Sequence, residues 1–183
     1  MPRIKLPAPE EMNEAQRRVY DEAVAGRRGR APLPMLAWLA SPEFARRAQK
    51  LGEFVRYETT LPPRLSELAI LVVARFWTSH YEWVAHKQEA LKAGLDESLI
   101  ADIAGRRPPR FANRDEQIVY DFCVRMNETH SMPGDMYRET VKTIGEKGVV
   151  ELVGILGYYT LISMTINAFE IGVPEESERE LQP

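Results

Sequence analysis

Residues 61–95 read LPPRLSELAILVVARFWTSHYEWVAHKQEALKAGL, and this stretch decides the fold. Pro62-Pro63 opens it and Gly94 closes it, the asymmetry expected of a helical segment. Apolar residues fall at Leu65, Leu68, Ala69, Val72 and Val73, then at Trp77, Tyr81, Val84 and Ala85, a helical recurrence and not a strand alternation. A second series of Glu67, Arg75, Ser79, Glu82 and His86 is set into the first. At about 100° per residue Glu67 and Ser79 lie about 120° apart, and the other three fall between them. One arc of a largely apolar helix would thus carry two carboxylates, a guanidinium, a hydroxyl and an imidazole.

Each residue also has a plain structural reading. Ser79-His80-Tyr81-Glu82 fits S-x-x-E, a capping box, if the stretch is two helices broken near Thr78. Arg75 and Glu82 could form an internal ion pair, and His86 could be a satisfied core histidine. Convergence of all of them in a low-dielectric setting favours a site.

Working outward, residues 1–9 are Pro-rich and read as an extended arm. Glu10 to Ala25 reads as an amphipathic helix, broken by the basic pentad Gly26-Arg-Arg-Gly-Arg30, a solvated loop able to attract an anion. Pro32 to Ala40 reads as a short apolar turn or helix, and Ser41-Pro42 as the start of a helix to about Tyr57. Beyond Gly94, helices are expected from Asp96 to Ala104, from Asn113, over Tyr137 to Ile144, and from Val149 to Phe169. The last has no charge from Leu152 to Phe169, which points to burial in a core or, preferably, a subunit interface. Cys123 lies on the apolar face of its helix and reads as core. The tail from Pro174 reads as acidic and loose.

The expectation is an all-α bundle of seven or eight helices forming a single domain over residues 1–183. Net charge is −3 with the two signs interspersed, which argues against a nucleic-acid partner, and no zinc-type cysteine pairs occur. The last helix contains Gly, Thr, Ser and Asn residues, so no membrane partner is expected. One cysteine permits no intrachain disulfide, and the N-terminus has no apolar signal core, so a cytoplasmic setting is expected.

These residues resemble the carboxymuconolactone decarboxylase and alkylhydroperoxidase D superfamily. Its peroxidase members carry a glutamate followed, twelve residues on, by C-x-x-C-x-x-x-H. Glu67 matches the glutamate, Ser79 and Glu82 stand where the cysteines would be, and His86 matches the histidine. The likeness extends through ELAILVVAR, YEWVAHKQEALKAG and GEKGVVELVGILGYYTLISMTINAFEIGVP, from about residue 40 to 174.

With both motif cysteines absent, thiol peroxidase chemistry is not expected. The non-thiol decarboxylase branch implies a cofactor-independent lyase or isomerase acting by proton transfer on a small carboxylated lactone or ring compound of aromatic catabolism. In that reading His86 is the general acid or base, with Glu82 and Glu67 sharing or orienting its proton. His80 joins the catalytic group if a break at Thr78 swings it inward. Arg75, Ser79 and Tyr81 are the substrate-binding candidates, with Arg75 as a clamp or a strut. The resemblance also implies a homo-oligomer, dimer to hexamer, a small carboxylate partner, and no metal or organic cofactor. Two alternatives stand beside it: a metal-dependent enzyme using Glu67, Glu82 and His86, and a non-catalytic oligomer that keeps only the fold.

Overall fold

In a computed structural model that describes residues 2–172, 175 and 179–182, the chain is all helical. Among the described residues there are eight α-helices and no strand. The helices are α1 (Glu14–Ala25), α2 (Leu33–Trp38), α3 (Pro42–Tyr57), α4 (Pro63–Phe76), α5 (His80–Lys92), α6 (Glu97–Ala104), α7 (Arg114–Thr129) and α8 (Gly134–Phe169). A 3₁₀ turn at Pro9–Glu11 precedes α1, so the helix expected from Glu10 begins later. The reason is Asn13, whose side chain accepts from the Gln16 N–H at 2.9 Å and fixes the start of α1.

The central stretch is two helices. After Phe76 the backbone turns through a left-handed Thr78, at φ 48°. Ser79 N–H then donates to Ala74 O at 2.7 Å and Thr78 N–H to Arg75 O at 3.1 Å, the paired bonds of a Schellman ending. Glycine is the usual residue there; here Thr78 holds the position while its hydroxyl accepts from Arg75 Nη1 at 3.0 Å. Gly94, at φ 91°, ends α5 with the same bond pair.

Helix α4 is the axis of the bundle. Every residue from Leu65 to Arg75 is buried, because α5, α7 and α8 pack around it. Truncating Leu68 or Leu71, both fully enclosed, would cost about 3 kcal/mol. Two close contacts fix α8 against the N-terminal half. Trp38 Nε1 donates to Thr165 Oγ1 at 2.9 Å, and the Tyr158 hydroxyl lies 2.1 Å from where a Cβ on Gly52 would sit. Only glycine at 52 lets Tyr158 reach that depth.

Gly145 has non-helical backbone (φ 75°, ψ 163°), so α8 is two helical pieces joined at a kink, close to the two helices expected from the pattern. By length and composition alone α8 could cross a membrane, but 61% of its most apolar window is buried inside this fold. Its uncharged outer face leaves Val150, Val153 and Met164 exposed.

The N-terminal arm lies on the body: Arg3 N–H donates to Phe169 O at 2.8 Å. Pro174, where the loose tail was expected to begin, lies outside the described residues. The end of that tail is held, which corrects the expectation for residues 180–182. Leu181 is buried, Arg75 Nη2 donates to Gln182 O at 2.6 Å, and Trp83 Nε1 donates to Glu180 at 3.1 Å.

Candidate active site

Helices α4 and α5 run side by side, so Glu67 faces one edge of the α5 imidazole at His86. Glu82 and His86 are one helical turn apart on α5 and share a face. His86 Nδ1 lies 2.6 Å from Glu67 Oε2, and its Nε2 lies 3.3 Å from Glu82 Oε2. All three side chains are buried. The capping-box reading therefore fails in its side chains: Ser79 is the N-cap by backbone, but its hydroxyl makes no cap bond and Glu82 turns to His86 instead.

A fourth group was not anticipated. Arg56, in the last turn of α3, brings Nη1 to 3.1 Å from His86 Nε2. A guanidinium can only donate, so this contact requires Nε2 to accept, while the Glu82 contact is best made when Nε2 carries a proton. Nε2 thus sits between a donor and an acceptor and can satisfy one at a time. Burial by itself would lower the His86 pKa. The hydrogen bonds to Glu67 and Glu82, with their charges, outweigh it and raise the pKa above its ordinary 6.5. Burial likewise opposes charge on Arg56, yet neighbouring Tyr159 and Glu67 hold its pKa up, so it remains a guanidinium. Tyr159 stands edge-on to the imidazole, with ring centroids 4.9 Å apart, and keeps the ring from turning.

Arg56, Glu82, His86 and Tyr159 form one wall of a cavity of about 280 Å³, with Glu67 behind the imidazole. Arg28, Arg30 and Arg56 line it, along with Tyr81, Tyr158 and Ile162. Burial pushes the Tyr158 hydroxyl up to about 12 and raises Tyr81 as well, so both phenols stay protonated donors at neutral pH. Tyr81 is clamped from outside by Gly172, whose left-handed backbone leaves room for the ring where a Cβ would lie 2.5 Å from it. The basic pentad of residues 26–30 is thus part of the cavity rim. The chamber carries three guanidinium groups and one imidazole against the carboxylates of Glu82 and Glu89, a surplus of cations that suits a compact anion.

Of the sequence candidates, Glu67, Glu82, His86 and Tyr81 come together, with Glu67 behind the imidazole and the others on the cavity wall. Arg75, Ser79 and His80 do not line this cavity. Arg75 ends on Thr78 and Gln182, and the ion pair with Glu82 does not form. His80 stays outside although the chain does break at Thr78; burial, with Arg179 and Arg75 nearby, lowers its pKa. Ser79 is enclosed with its hydroxyl unpartnered. Cys123 is buried in the core, and burial drives its thiol far above the ordinary range, so it offers no thiolate.

The geometry also bears on a metal centre. Both ring nitrogens of His86 are engaged by carboxylates or a guanidinium. Among the described residues no three His, Cys, Asp or Glu side chains are grouped as a metal cage. The residues present do not fit the metal-dependent alternative.

Comparison with known proteins agrees with the helical stretch that builds the site. The carboxymuconolactone decarboxylase family model matches residues 42–109, which span α3 to α6 and contain Arg56, Glu67, Glu82 and His86. The superfamily assignment is supported. A protein of unknown function from Agrobacterium tumefaciens, named as a candidate antioxidant defence protein AhpD, superposes with a TM-score of 0.65 at 18% identity, covering 76% of this chain and 96% of that one. The debrominase Bmp8 in its apo form gives 0.65 at 13% identity, covering 88% of this chain and 85% of its own. A cysteine-to-alanine variant of that debrominase, in complex with 2,3,4-tribromopyrrole, gives 0.64 at 13%, with coverage of 86% and 82%. These structures share the AhpD-like fold. No curated protein matches the sequence.

Proposed function

We propose that the chain is a cofactor-independent lyase or isomerase that moves a proton on a small carboxylated lactone or ring compound of aromatic catabolism. The observation that supports this is the His86 imidazole, which lines a guanidinium-bearing cavity and is backed by Glu67 at 2.6 Å on Nδ1. Arg28 and Arg30 at the rim draw in the substrate carboxylates, and Arg56 holds one of them beside the imidazole. Loss of CO₂ breaks the carbon–carboxylate bond and leaves its electron pair as an enolate. The protonated imidazole then delivers the Nε2 proton to that carbon, and Glu67 stabilises the imidazolium before the transfer. Once the imidazole is neutral, Nε2 can accept from Arg56, 3.1 Å away, instead of donating to Glu82 at 3.3 Å.

The proposed setting is the cytoplasm, with copies of the chain meeting along the uncharged outer face of α8 at Val150, Val153 and Met164. Light scattering should give a multiple of the 20.9 kDa chain, and a monomer at micromolar concentration would remove that part. The reaction is tested by CO₂ release from γ-carboxymuconolactone and a panel of related lactone acids. Turnover should fall as competing anions or salt screen the rim arginines. Turnover indifferent to added salt and to inert competing anions would count against an anion site.

A further inference from the structure

On the far side of α4 a second cavity opens between α4, α6 and α7, with a volume of about 560 Å³, twice that of the His86 chamber. Val72, Phe76, Ile103 and Phe111 supply apolar walls. Phe111 and Tyr120 pack against each other with ring planes tilted by 49° and centroids 5.1 Å apart. Arg75 lines the cavity although only 6% of its surface is exposed. Its two Nη groups donate to Thr78 Oγ1 and Gln182 O, both uncharged, and its Nε has no partner among the described residues. Arg106 lies close enough for its charge to act against that of Arg75, adding to the larger effect of burial in lowering the Arg75 pKa.

Neither guanidinium has a carboxylate within ion-pair reach among the described residues, whereas Arg107 in the same cavity is held by Asp102 at 2.9 Å. Asp121 and Glu128 on α7 also line the cavity and pair with neither Arg75 nor Arg106. A buried cation with an orphaned N–H and a second cation beside it is an arrangement that an anion completes. The walls restrict that anion to one with a flat apolar body.

We propose that this cavity is a second ligand site that takes a flat aromatic monocarboxylate, its carboxylate on Arg75 and Arg106 and its ring against Phe111 and Tyr120. It shares no lining residue with the His86 cavity, so it does not depend on the reaction proposed there. The probe is 2-naphthoate, titrated calorimetrically into the whole chain, with 2-naphthamide as its uncharged counterpart. One site per chain is expected, weakened about tenfold or more by Arg106→Gln and by replacing the acid with the amide. Arg106 is exposed, so its variant should fold even if Arg75→Gln does not. Affinity should be unchanged in Arg56→Gln. Binding lost in Arg56→Gln, binding indifferent to Arg106→Gln, equal affinity for the amide, or no heat at millimolar naphthoate would each overturn the proposal.

Discussion

Glu67, Glu82 and His86 share one arc of a helical wheel with Arg75 and Ser79, with His80 off that arc, yet the two sets are opposites in the fold. Glu67, Glu82 and His86 meet around one imidazole at the cavity wall, while Arg75, Ser79 and His80 do not line that cavity. The difference is made by one residue in a left-handed conformation. Thr78 ends α4, so the angular count holds from Glu67 to Arg75 and again from Glu82 to His86, but not between the two sets. Glu67 meets His86 because α4 and α5 pack side by side, a tertiary contact that no single wheel contains. A shared angular position is evidence of proximity only within one unbroken helix.

The contrast can be broken most forcefully at Glu67. Glu67→Gln removes the charge-assisted bond to Nδ1 and should cost about 2 kcal/mol of stability. It should also bring the His86 pKa down, because one of the two carboxylates that raise it is gone. Chemical denaturation reads the first effect and the NMR titration of the imidazole the second. An unchanged midpoint would mean that Glu67 does not control the proton.

The pH dependence of stability follows from the same shift. The His86 pKa is raised above 6.5 in the folded chain, so its contribution is fully present below about 6.5 and is lost as pH rises through the folded value. The stability gap between wild type and His86→Gln should therefore narrow with increasing pH, and widening would reverse the sign of the account. On the other side of the break, Arg75→Gln should cost about 1–2 kcal/mol by releasing Thr78 and the Gln182 carbonyl. Its effect on turnover in the His86 cavity should be within about threefold, less than one decade in rate. A turnover loss like that of Glu67→Gln would restore Arg75 to the site. The smallest effect belongs to Ser79→Ala, which removes a buried unpaired hydroxyl and should leave melting unchanged or raise stability by up to about 1 kcal/mol.

Much of this is legible in the sequence. The Ser41-Pro42 start, the Asp96 cap and the Gly94 stop are local signals, and the helices begin and end where those residues require. Glu67, Glu82 and His86 were readable because their spacing survives within each helix and matches a family motif. Arg56 was not, since it lies thirty residues from His86 and stands in α3 with no local pattern to mark it. Arg28 and Arg30 left a partial trace as a basic loop, but only the packing of that loop over α5 turns it into a cavity rim. The held end of the tail was illegible for a similar reason: Leu181 is a single apolar residue in a polar run, and its pocket is built by distant helices.

In the proposed reaction His86 Nε2 donates the proton to a decarboxylated intermediate. The most direct test is CO₂ release from the lactone-acid panel by wild type and His86→Gln side by side, with near-ultraviolet circular dichroism confirming that both are folded. Wild-type turnover, lowered about 10²-fold or more in the folded variant, is the predicted result. Turnover that persists undiminished in His86→Gln would contradict it.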